Sequence, residues 1–155
     1  MLDDKFVKKT LESAKTIAMI GVSSIKKEVS SNIRRRPSTI VMKYMQEFGY
    51  KVIPINPFSA GERIHGEIIV AKLSDVRITI DIVDVFRPSK ETPPIAEEAV
   101  KIGAKVFWLQ YGIQNDEAKK IVESKNIAYI SNKCIKQEYQ RLFLKISPVF
   151  PALKN

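Results

Sequence analysis

Two hydrophobic periods alternate along the chain. Short, nearly continuous apolar runs predict five strands: "TIAMIG" (16–21), "KVIPINP" (51–57), "TIDIVDVF" (79–86), "AKVFWLQ" (104–110) and "IAYIS" (127–131). Between them apolar residues recur three and four apart. Leu2, Phe6, Val7, Leu11 and Ala14 predict an N-terminal helix over 2–14. Ile40, Val41, Tyr44, Met45 and Phe48 predict a second helix, ended by Gly49, and Ile95, Ala96, Ala99, Val100 and Ile102 a third, closed by Gly103. A fourth spans 115–124, with Asn115 as its N-cap, and Ile135, Tyr139, Leu142, Phe143 and Ile146 stripe a last one. Apolar strands separated by helices are the pattern of a parallel sheet covered on both faces. The prediction is therefore an α/β fold: a single doubly wound, mainly parallel five-stranded Rossmann-like domain over residues 1–155, with its core at 15–146 and a tail at 147–155. Residues 58–76 are less regular and are expected to hold a short extra strand and a helical turn. The tail carries two prolines and is expected either to pack on the domain or to join an oligomer contact.

Composition removes function classes more readily than it proposes one. No apolar run approaches the roughly 18 residues that a membrane-spanning helix needs. Asp3 and Asp4 interrupt the N-terminus, which does not read as a signal peptide, so the expectation is a cytoplasmic protein. One cysteine, Cys134, and one histidine, His65, leave no intramolecular disulfide and no His/Cys metal cluster. Ser-His-Asp or Cys-His chemistry would have to use His65 alone. The net charge of +9, from 26 Lys and Arg against 17 Asp and Glu, favours an anionic partner.

In doubly wound sheets ligands bind beyond the carboxyl ends of the strands. The first such end carries Gly21, where backbone can approach a ligand closely, followed by the hydroxyls of Ser23 and Ser24. Arg34, Arg35 and Arg36 precede a helix beginning near Pro37-Ser38, whose positive end suits a phosphate. The G-x-G-x-x-G fingerprint of dinucleotide sites is missing, and the second strand ends in Asn56-Pro57 rather than an acid. NAD is disfavoured on both counts.

Taken together, "IAMIGVSS", "RRRPSTIVMKYMQEFGYKVIPINP", "DIVDVFRPSKETPPIAEEAVKIGAKVFWLQYGIQNDEA" and "NKCIKQEYQRL" closely resemble the small, single-domain CoA-binding proteins. These are similar to the N-terminal CoA-binding domain of succinyl-CoA synthetase α subunits, and the resemblance runs over roughly residues 15–143. It implies coenzyme A lying across the carboxyl edge of the sheet. Gly21, Val22 and Ser23 match the turn that holds its phosphates, and Arg36 and Ser38 the Arg-Pro-Ser segment at the first crossover helix. Asn56 and Pro57 match the turn beside the adenosine, Phe86 and Arg87 the end of the third strand, and Gln110, Tyr111 and Gly112 the fourth-strand turn. Phe58 stands where the family often has a basic residue, and the loop at 25–36 is longer and more basic than usual. Lys26, Lys27 or Arg34 is then the candidate for the 3′-phosphate.

The remaining residues have plainer readings. Trp108 is expected in the core, His65 exposed in a polar loop, and Asp84 capping a backbone amide or facing the sheet edge. Cys134 is expected to be a small buried hydrophobe; the minority reading is a thiol that forms a mixed disulfide with CoA. The function expected is a module that binds CoA or an acyl-CoA without independent catalysis, alone, as a homo-oligomer or beside a partner enzyme. The alternative is an enzyme or enzyme subunit acting on an acyl-CoA or a dinucleotide such as NADP. Nucleic-acid binding through the basic surface ranks last, because no recognition helix or aromatic-basic sheet is present.

Overall fold

A computed structural model describes residues 3–22 and 37–145. The strands are β1 (Thr16–Ile20), β2 (Lys51–Ile55), β3 (Arg63–Ile64), β4 (Glu67–Ile68), β5 (Ile82–Val85), β6 (Val106–Leu109) and β7 (Ala128–Ile130). The helices are α1 (Asp4–Ser13), α2 (Pro37–Glu47), α3 (Thr92–Lys101), α4 (Asp116–Glu123) and α5 (Ile135–Phe143), with 3₁₀ turns at Leu73–Asp75 and Ser89–Glu91. Five strands form one parallel sheet in the order β2-β1-β5-β6-β7. The fold is thus the predicted α/β one. All five core strands are shorter than their apolar runs. At β5 the reason is local: the chain bends at Asp81, whose carboxylate turns back to accept from the amides of Lys15 (2.7 Å) and Thr16 (3.2 Å). The irregular 58–76 stretch holds more than one extra strand, because β3 and β4 form an antiparallel hairpin.

Alternation along the strands divides the core into two layers. Ile17, Met19, Ile82, Trp108 and Ile130 pack with Val7 and Leu11 of α1, Val41, Met42 and Met45 of α2, and Ile135 of α5. Ala18, Ile20, Ile55, Val83, Val85, Phe107 and Leu109 pack with Ala96 and Ala99 of α3 and Ala118 and Val122 of α4. Trp108 is fully buried, as expected, and its indole N–H donates to the Lys133 carbonyl at 2.7 Å. Asp3 caps α1 by accepting from the Phe6 amide, and Asn115 caps α4 by accepting from the Ala118 amide. Arg141 ties α5 to α1 through two 2.8 Å hydrogen bonds to Asp4.

The edge of the sheet beside β2 is closed by the chain that follows the hairpin. Val70 bridges to Ile55 in parallel; its amide donates to the Pro54 carbonyl and its carbonyl accepts from the Asn56 amide, each at 2.9 Å. His65 sits at the hairpin turn at φ 48°. It is not the exposed loop residue expected: it is half-buried, with Nε2 3.0 Å from the Thr39 carbonyl, while its own carbonyl accepts from Gln46. The hairpin is thereby fastened to α2. The tail at 147–155 lies outside the described residues.

Candidate functional site

In this strand order the chain reverses direction across the sheet between β1 and β5, and that reversal opens a crevice at the carboxyl ends of the strands. Gly21 sits there at φ 103°, a conformation that disfavours side chains. Its amide donates to the Ile55 carbonyl and the Phe86 amide to the Ile20 carbonyl, both at 2.8 Å, so the turn is held between β2 and β5. A Cβ at Gly21 would lie 2.7 Å from the Phe86 carbonyl oxygen. Glycine is required here by backbone and by neighbour alike. The Gly21 N–H is therefore engaged, and phosphate donors must come from elsewhere.

Beside this turn a cleft of about 470 Å³ opens on the α3 face of the sheet. Ile20, Ile55, Leu73 and Ile95 give it apolar walls, and the turn Asn56-Pro57-Phe58 forms one rim. Asn56 is buried and its side-chain oxygen accepts from the Phe58 amide at 2.9 Å, which fixes the turn. Phe58 projects from it, 75% exposed. Charge is mixed, with Lys72 and Arg87 set against Glu91 and Glu98. Arg87 places Nε (3.0 Å) and Nη2 (2.7 Å) on one oxygen of Glu91.

Of the ligand-binding residues expected from the sequence, the cleft gathers Gly21, Asn56, Pro57 and Arg87, together with Phe58, which stands in place of the family's basic residue. Ser38 is buried on the other side of the Gly21 turn, its hydroxyl 3.4 Å from the Gly21 carbonyl, so the start of α2 does abut that turn. Val22 is fully buried, and Phe86 is half-buried with its Cβ 3.2 Å from where a Gly21 Cβ would stand. Gln110, Tyr111 and Gly112 lie outside the cleft lining, after β6. Gln110 is buried and accepts from the first amide of α5 (3.1 Å), and Gly112 donates to Asn132 (2.6 Å). Tyr111 stands 76% exposed. Ser23, Ser24, Lys26, Lys27 and the three arginines 34–36 lie outside the described residues.

The reading from sequence missed Ala71, Lys72 and Leu73, and the acids Glu91 and Glu98. The acids had a signal: Glu91, Ile95 and Glu98 recur four and three apart, along one helical face. Cys134 is half-buried and packs against the layer of Met19 and Trp108, close to the small buried hydrophobe expected, and it does not line the cleft. One further expectation needs correction. Asp84 neither caps an amide nor faces an edge. It lies in the middle of the sheet, level with Met19 and Trp108 on the neighbouring strands, fully buried, and neither carboxyl oxygen has a hydrogen-bond partner among the described residues. Burial alone pushes its pKa well above the usual carboxylate range. Among the described residues there is no cluster of three metal-ligating side chains, and no helix is long and apolar enough to cross a membrane.

Comparison with known proteins finds relatives that match most of the chain. The chain is 38% identical over 130 residues to Uncharacterized protein YneT of Bacillus subtilis (strain 168), covering 84% of this chain and 89% of that one. A solved structure of a Thermus thermophilus protein shares 34% identity at a TM-score of 0.82, over 92% of this chain and 100% of that one. A hypothetical protein from Pyrococcus horikoshii OT3 shares 35% identity at a TM-score of 0.81, over 91% and 92%. The family model described as the CoA binding domain matches residues 15–140. With that match covering most of its length, the chain belongs to the CoA-binding domain family.

Proposed function

We propose that this protein binds coenzyme A, or an acyl-CoA, in the cleft at the carboxyl ends of β1 and β2, and does so without catalysis of its own. The observation that carries the reading is the cleft itself: it opens at the reversal of strand order, against a turn where only glycine fits. Its size lies within the usual range for small-molecule sites. The residues fit the group. Apolar walls from Ile20, Ile55, Leu73 and Ile95 suit the faces of an adenine ring, and the Gly21 turn lets a diphosphate approach the backbone. Bound there, CoA would supply a thiol or thioester, and this chain would hold and orient it. The reading as a binding module draws on the residue supply: the single histidine and single cysteine are both absent from the described lining.

A thermal-shift comparison of CoA, acetyl-CoA, NAD, NADP, ATP and RNA tests the proposal. A ligand that binds only the folded state raises stability, by about 2.7 kcal/mol at a hundredfold excess over its Kd. CoA and acetyl-CoA are expected to raise the Tm and RNA to leave it unchanged. A shift with NADP and none with either CoA compound would overturn the reading.

A further inference from the structure

We infer that Lys72 recognises a phosphomonoester on the ribose of the bound nucleotide, an inference that rests on the cleft's taking a nucleotide ligand. Two cations line the cleft among the described residues, and they differ in commitment. Arg87, beyond β5, holds two hydrogen bonds to Glu91. Lys72 has no carboxylate partner among the described residues and stands exposed. Its backbone is nevertheless fixed. The Val70 rung binds the preceding residues to Pro54 and Asn56, and Leu73, which follows, is fully buried in the α3 layer. Along the carboxyl edge of the sheet the order is therefore β5 with Arg87, β1 with Gly21, β2 with Asn56-Pro57-Phe58, and then Lys72 on the outer segment. A ligand whose diphosphate lies over Gly21 and whose ribose reaches the end of β2 brings a ribose-bound phosphate next to Lys72. Phe58, on the same rim, offers no charge. An ammonium on a fixed backbone and a flexible stem suits a dianionic phosphate received as a point charge.

Calorimetric titration of the wild type, Lys72→Met and Lys72→Arg with CoA and with dephospho-CoA, which lacks the 3′-phosphate, tests this. NADP and NAD form a second pair differing by a 2′-phosphate. The wild type is expected to bind CoA about tenfold more tightly than dephospho-CoA, as for one charged hydrogen bond. Lys72→Met should bind both at the wild-type dephospho-CoA level, and Lys72→Arg should restore the preference. Retention of the preference in Lys72→Met overturns the role of Lys72 and leaves CoA binding intact, as does a wild type that binds both CoA compounds equally. A wild type that binds NADP over NAD but neither CoA compound refutes the proposed function; if Lys72→Met then abolishes that preference, the role of Lys72 stands for the 2′-phosphate. Binding of none of the four refutes both.

Discussion

Asp81 and Asp84 lie three residues apart at one strand, yet they meet opposite fates. Asp81, at the amino end of β5, receives the amides of Lys15 and Thr16 and sits 3.3 Å from the Lys105 ammonium. Burial raises its pKa, but the two amides and Lys105 together outweigh that and hold it below the usual value. Asp84 faces the layer sealed by α1, α2 and α5 with no hydrogen-bond partner among the described residues, and burial raises its pKa. Position along a strand thus decides what a carboxyl can do. At the end, free amides await an acceptor; in the middle, the sheet has already used them.

The largest effect should come from the pH dependence of Asp84. An acid whose folded pKa is raised holds its proton longer in the folded state. Its stabilising contribution is full below the unfolded value, near 4, and is lost as pH rises toward the folded value. Chemical denaturation of the wild type across this range should show stability falling by up to about 1.4 kcal/mol per pH unit from this group. Asp84→Asn should flatten that slope; a slope left intact in the variant would break the contrast. Next comes Asp81→Ala, which strips the acceptor from two amides and should lower stability by about 1–2 kcal/mol at pH 7. Asp81 has the opposite sign: its contribution is present above the unfolded value, near 4, and is lost as pH falls through the depressed folded value. The acid limb of the same curves should therefore shrink in Asp81→Ala. The smallest effect belongs to Lys105→Ala. With the lysine side chain 71% exposed, a change within about 0.5 kcal/mol is expected, and a larger one would mean that the ammonium, not the amides, governs Asp81.

The strands and their parallel pairing were legible because each is a continuous apolar run between helical periods. Gly21 was legible as a close-approach glycine, though not the contact that demands it, since Phe86 is 65 positions away. Asp84 was misread because a polar letter in an apolar run carries no mark of which layer it enters or whether an amide is free there. Lys72 stayed hidden for a different reason. Its place in the cleft depends on the Val70–Ile55 rung, a pairing made by one residue and so without any period. Arg87 was legible as a residue following the third apolar run and does line the cleft, while its pairing with Glu91 needed the turn at 89–91 to bring residues four apart together.

Pro54 has a consequence for how copies of this chain meet. In β2 its carbonyl points outward to Val70, and the N–H that proline lacks would point the same way. The outer side of β2 thus offers an incoming strand an interrupted ladder: one donor is missing at Pro54, and the Val70 rung already engages the Pro54 carbonyl and the Asn56 amide. Both features disfavour sheet extension by a second molecule on that side. The opposite edge strand of the five-stranded sheet, β7, is only the three residues Ala128–Ile130 long, and short edge strands likewise disfavour pairing with another chain.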